Sequence, residues 1–155
     1  MNDLKDLVLT DAVLPRLAAT SRRQVLQVMS EALASAADID PRAAFEAVLM
    51  RERLSGTGMG DGVAIPHARV PGLTHPIGGF ARLEPAQDFN ALDGRPCDLV
   101  FMLLAPPERG ADHLKALARV SRFLRRADLR EKLRAARGVV ELRALFAHPV
   151  RSDAA

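Results

Sequence analysis

In the segment GTGMGDGVAIPHAR, Gly56–Arg69, a histidine directly follows a proline at the end of a short apolar run. A neutral imidazole carries a lone pair on one ring nitrogen. With an ordinary pKa near 6.5, a histidine is mostly neutral at cytosolic pH, so His67 has the chemistry to attack phosphorus. Val63, Ala64 and Ile65 read as a buried strand, and Pro66 ends its hydrogen-bonding ladder and stiffens the approach, leaving the imidazole at a strand end. The glycines at 56, 58, 60 and 62 permit backbone angles closed to most residues, so the loop is expected to fold closely around a small anion or a partner's backbone.

Other chemistries fit the residues less well. The glycine loop is neither G-x-G-x-x-G nor G-x-x-x-x-G-K-[ST], and it leads into a strand instead of a helix, which removes both nucleotide-binding mechanisms. A metal site built from His67, His75 and His113 lacks the i, i+4 pairing of a helical site and has no evident carboxylate. Ser55 and Ser121 sit in no nucleophile-elbow pattern. Cys97 cannot form an internal disulfide, being the only cysteine, and beside the apolar run Leu99–Leu104 it reads as a small buried hydrophobe.

The elements that must hold His67 follow from spacing. Apolar positions 25, 28, 29, 32, 33 and 36 describe a helix, with Ser21 and Gln24 as a capping box. Asp40 and Pro41 open a second helix with Ala44, Phe45, Val48 and Leu49 on its buried face, and Ser55 and Gly56 end it. Past His67, Ile77–Leu83 is a strand. Leu99–Leu104 is a central strand covered on both faces, entered through a turn at Asp93 and Gly94. Pro106 and Pro107 stop it. Asp112 is placed to cap a helix whose face is Leu114, Leu117, Ala118, Ser121 and Leu124, and shorter helices follow near Asp128–Ala136 and Val139–Ala147. The expectation is one α/β domain over residues 1–149, a sandwich with a mixed sheet flanked by helices, and a disordered tail at 150–155.

A chain of 155 residues, 48% apolar, is enough for one such core. No run of about 18 apolar residues is present to span a bilayer, and the N-terminus is acidic where a signal peptide is basic, so a cytoplasmic protein is expected. The net charge is +3, but between Arg109 and Arg151 twelve Lys or Arg face four Asp or Glu. With no Trp or Tyr to stack on bases, this excess suits solvated helix faces or an acidic protein partner better than nucleic acid.

Several of these segments together resemble one family, the enzyme IIA proteins of the bacterial phosphotransferase system, in their mannitol/fructose and nitrogen-regulatory class. The resemblance is carried by Arg51-Glu52-Arg53-Leu54, the loop Gly56–Gly62, Val63-Ala64-Ile65-Pro66-His67, the stretch Asp93-Gly94-Arg95-Pro96-Cys97-Asp98-Leu99 and His113-Leu114. It implies that His67 accepts a phosphoryl group on Nε2 from a phosphohistidine of a small HPr-like carrier (NPr) and passes it on, with no cofactor and no metal. It also implies that Arg51 and His113 are active-site residues. A guanidinium and an imidazole donor there would stabilise the charge on the transferred group. Arg53 and Arg69 are further candidates to add positive potential. The other ring nitrogen of His67 must donate to some backbone carbonyl to fix the tautomer.

Within the family the stretch DGRPCDLVFMLLAP looks more like the nitrogen-type regulator, which binds target proteins according to its phosphorylation state. The alternatives are a sugar-specific enzyme IIA that donates to an enzyme IIB, and a protein-binding module that never turns phosphate over. Ala68-Arg69 and Asp61 stand where glycine-lysine and asparagine are common in the family.

Overall fold

The computed structural model describes residues 3–108 and 110–149. The tail expected beyond Pro149 lies outside them. Six strands form one mixed sheet: β1 (Val8–Leu17), β2 (Gly58–Gly60), β3 (Val63–Ala64), β4 (His67–Arg69), β5 (Ile77–Gln87) and β6 (Cys97–Ala105). The order across the sheet is β1-β5-β6-β3-β2, with β4 also paired to β6. β1 runs parallel to β5, β5 antiparallel to β6, and both β3 and β4 parallel to β6.

β6 is the central strand its sequence predicts, and its alternation divides the core. Cys97, Val100, Met102 and Leu104 face one apolar layer, filled by α1 (Arg22–Ala37) and α2 (Pro41–Leu54). Leu99, Phe101 and Leu103 face the other, filled by α3 (Gly110–Arg125), α4 (Ala127–Ala135) and α5 (Val139–Ala147). Successive side chains of a strand point to opposite faces, so an unbroken apolar run requires cover on both. In the second layer Phe146 packs among Phe80, Phe101 and Phe123, with ring centroids 5.1, 5.8 and 5.3 Å away. Cys97 is buried, and loss of solvent pushes its thiol pKa up to about 12, which leaves it an inert packing residue.

The α1 cap forms with one change. Ser21 Oγ accepts the Gln24 N–H at 3.1 Å, but the returning Gln24 amide oxygen accepts the backbone N–H of Thr20 at 2.7 Å, one residue earlier than a capping box requires. α2 starts as expected: Asp40 accepts from the Arg42 N–H at 3.0 Å and Pro41 occupies the first turn.

The structure differs from expectation at three points, one an element the sequence did not announce and two of them corrections. Residues 8–17, which carry no turn or cap signal, form the edge strand β1. Pro66 interrupts its strand without ending it: the chain rejoins the sheet at once, so His67 opens β4. The third is the buried face of α3, which comprises His113, Ala116, Val120, Phe123 and Leu124, while Leu114 is 65% exposed. The helix begins at Gly110, with Asp112 inside its first turn. Its orientation is therefore rotated by about one residue, or ~100°, from the Leu114 face, and His113 points inward.

Candidate active site

His67 is held by backbone on both sides. Its strand lies parallel to β6, with His67 opposite Leu103, and the Leu103 N–H donates to the Pro66 carbonyl at 2.9 Å. The Ile65 N–H donates to the Thr57 carbonyl at 3.1 Å. Proline, with its fixed φ and no N–H, lets the chain bend between these anchors, so that the Ile65 carbonyl turns back over the ring two residues on. It accepts the His67 Nδ1–H at 2.8 Å. A carbonyl can only accept, so the proton belongs on Nδ1 and the lone pair on Nε2. The carbonyl that sequence alone leaves unnamed is therefore Ile65.

His113, from the first turns of α3, stands edge-on to His67 with ring centroids 5.5 Å apart and planes inclined at 68°. Its Nδ1 accepts the Arg69 Nε–H at 3.4 Å. Its Nε2 is buried and has no hydrogen-bond partner among the described residues. Arg51, in the last turn of α2, donates Nη1–H to the Ser55 carbonyl at 2.8 Å, capping the helix C-terminus, and its charge acts on His67. The structure thus brings His67, His113, Arg51 and Arg69 to one end of the sheet. Arg53 is exposed, and no hydrogen bond or ion pair among the described residues ties it to these groups. His75 is also exposed and bonds to Thr74 Oγ1 at 3.1 Å. Among the described residues no cluster of three or more His, Cys, Asp or Glu is arranged to hold a metal ion.

Both imidazoles have pKa values below the ordinary 6.5. Desolvation is the main cause for His67, opposed by the bond to Ile65 and reinforced by Arg51. For His113 desolvation again leads, followed by the charges of His67 and Arg69. The site is therefore built from two neutral rings among cationic arginines.

Two supports were not evident from motif chemistry. Glu52 is 3% exposed, and its carboxylate accepts both the Thr57 hydroxyl at 2.6 Å and the Thr57 N–H at 3.0 Å, with Arg22 Nη1 at 3.5 Å. Bonds therefore run from Glu52 through Thr57 and Ile65 to His67. Glu52 sits at the position expected for α2's apolar stripe, four residues after Val48, and that misplaced charge is the signal that points to it. The second support is Arg134 of α4, which grips Asp98 through both carboxylate oxygens at 2.9 Å and donates to the Asp61 carbonyl at 2.7 Å.

Two of the loop glycines are required by close internal packing. Gly62 has φ +79°, and a Cβ there would lie 2.5 Å from Arg134 Nη2. At Gly56 a Cβ would collide with the Phe89 carbonyl and lie 2.6 Å from Asn90 Cβ. Several large apolar side chains are left uncovered: Met50 and Leu54, which flank Arg51 in sequence, Met59 in the glycine loop, and Leu114, next to His113 in sequence.

The family model for the phosphoenolpyruvate-dependent sugar phosphotransferase system, EIIA 2, matches the sequence over residues 7–148. The chain belongs to that EIIA 2 family. A nitrogen regulatory protein of Bradyrhizobium diazoefficiens is 47% identical over 146 residues, covering 94% of this chain and 95% of that protein. One from Pseudomonas aeruginosa is 40% identical over 117 residues, covering 75% and 76%. Among solved structures, the nitrogen regulatory protein IIA-Ntr of Neisseria meningitidis superposes with a TM-score of 0.86 at 28% identity, covering 93% of this chain and 99% of that one. The Bradyrhizobium and Neisseria proteins each match more than nine-tenths of this EIIA 2 chain. No helix among the described residues is long and apolar enough to cross a membrane.

Proposed function

We propose that residues 1–149 form a phosphoryl carrier of the nitrogen-regulatory kind, in which His67 Nε2 takes a phosphoryl group from a phosphohistidine on an HPr-like protein. The observation that carries this reading is the 2.8 Å bond from His67 Nδ1 to the Ile65 carbonyl. It commits one nitrogen as donor and leaves the other nucleophilic. In the transfer the Nε2 lone pair forms the new P–N bond as the carrier's P–N bond breaks, and that electron pair returns to the carrier's imidazole. The Ile65 carbonyl then stabilises the proton on Nδ1 as the ring loses electron density.

Arg51 supplies positive charge to the peripheral oxygens, and His113 Nε2 supplies a donor that no other described residue engages. The uncovered Met50, Leu54, Met59 and Leu114 are suited to receive the carrier's apolar surface. The names of the similar Bradyrhizobium, Pseudomonas and Neisseria proteins favour regulation of target proteins over sugar transport.

The test is incubation with phosphoenolpyruvate, enzyme I and the HPr-like carrier. An acid-labile, alkali-stable phosphoryl group is expected on the wild type and none on His67→Ala. An unlabelled wild type, or equal labelling of the variant, overturns the carrier reading. Rapid onward transfer to a sugar-specific enzyme IIB would overturn the regulatory assignment.

A further inference from the structure

β4 is three residues long, and its period of two places His67 and Arg69 on the same face, with the buried Ala68 on the other. The face they share meets the start of α3. There Arg69 Nε–H reaches His113 Nδ1 at 3.4 Å. The guanidinium lies across the first turn of the helix, beside Gly110: a Cβ at that position would stand 3.2 Å from Arg69 Nη2. Gly110 thus leaves the space that the arginine uses. His113 itself is 8% exposed, and its Nε2 has no hydrogen-bond partner among the described residues.

A neutral imidazole has one donor and one acceptor nitrogen. An arginine N–H can only donate, so contact at Nδ1 makes that nitrogen the acceptor and leaves the proton on Nε2. We propose that Arg69 is a positioning residue for His113: it fixes the ring's orientation and tautomer so that Nε2–H is ready to donate to an oxygen of the incoming phosphoryl group. The inference rests on the phosphocarrier reading and assigns Arg69 a role distinct from attracting phosphate by charge. A buried unpaired donor is unfavourable at rest, and an arriving phosphoryl oxygen relieves it. The arrangement therefore favours the phosphorylated state over the free one. Arg51 already supplies charge from the opposite helix. Among the described residues, the Arg69 bond is the hydrogen bond that holds the second ring.

The test separates geometry from charge. Histidine-15N-labelled full-length protein gives two-bond correlation spectra that report which nitrogen of His113 is protonated. The wild type is expected to show the single Nε2–H form. In both Arg69→Lys and Arg69→Gln the two nitrogens are expected to move toward the averaged shifts of exchanging tautomers. Transfer from the phosphorylated HPr-like carrier should fall about tenfold in both, part of the ~10²–10³ that complete loss of an oxyanion donor costs. An Arg69→Lys protein that keeps the wild-type spectrum and rate overturns the proposal, because charge alone would then suffice. So does an Arg69→Gln protein with a slow rate and an unchanged spectrum, which would place Arg69 on the phosphate itself. Failure of the carrier reading looks different: the wild type would then take no label, whatever the spectra of the Arg69 variants.

Discussion

Thr57→Val probes how far the support under His67 depends on one buried carboxylate. Valine keeps the shape and the backbone N–H but deletes the hydroxyl that donates to Glu52 Oε1 at 2.6 Å. The Thr57 N–H bond to Oε2 at 3.0 Å and the Arg22 contact at 3.5 Å remain on the other oxygen. Glu52 is 3% exposed, so water cannot readily replace the lost donor. A hydrogen bond to a charged group contributes about 1.5–3 kcal/mol, and stranding a buried acceptor puts the cost toward the upper end. At roughly 2–4 °C per kcal/mol for a domain of this size, the melting temperature should drop by about 5–10 °C.

Thr57→Ser, which keeps the hydroxyl, should lose much less. Thermal denaturation of the three proteins by circular dichroism gives the comparison. A double-mutant cycle with Glu52→Gln should return a coupling well above the scatter of independent sites. A valine variant as stable as the serine variant, or a coupling near zero, would refute the reasoning that this carboxylate needs its hydroxyl partner.

The shifted imidazoles predict how both function and stability respond to acid. His67 must be neutral to attack, and its pKa lies below 6.5 in the folded protein, so the rate of phosphoryl acceptance should fall on acidification with its midpoint below pH 6.5. Stability behaves in the complementary sense. His67 and His113 take up protons in the unfolded chain before they do in the folded one, so their contribution is intact above 6.5 and lost as the pH falls through the folded values. Denaturant titrations between pH 5 and 7.5 on the wild type and His113→Ala check this, since the variant should lose part of the slope.

The glycine loop offers a paired test. Gly62→Ala places a Cβ 2.5 Å from Arg134 Nη2 at φ +79°, whereas Gly94 has φ +73° with nothing within 4 Å. Gly94→Ala should cost only the left-handed backbone penalty of about 1–2 kcal/mol. Gly62→Ala should cost more by the disrupted Arg134 clamp, and equal costs in urea denaturation would show that the clamp adds nothing.

What was legible in the sequence follows from where one local rule acts alone. β6 and the two capped helices of the first layer were legible because an unbroken apolar run, or a cap followed by periodic apolar residues, has one stable solution. β1 was not, because residues 8–17 mix exposed Thr10 and Asp11 with Pro15 near the strand's end, and pairing along β5 holds such a strand without any local signal. The rotation of α3 has a more informative cause. Scoring Leu114 as buried and His113 as polar follows hydrophobicity alone, but the helix turns the histidine inward and leaves the leucine 65% exposed.

That reversal is a feature of the site, not an error of packing. An exposed leucine and a buried imidazole at adjacent positions both cost stability, and both stand at the end of the sheet where His67 opens β4. The buried imidazole costs less than its burial suggests, because Arg69 satisfies one nitrogen and desolvation keeps the ring neutral. The leucine is uncovered, as are Met50, Leu54 and Met59. Where hydrophobic patterning fails in α3, it fails in the two residues that a phosphoryl donor and its carrier protein would touch, so the failure marks the same end of the molecule that the Pro66-His67 motif marks independently.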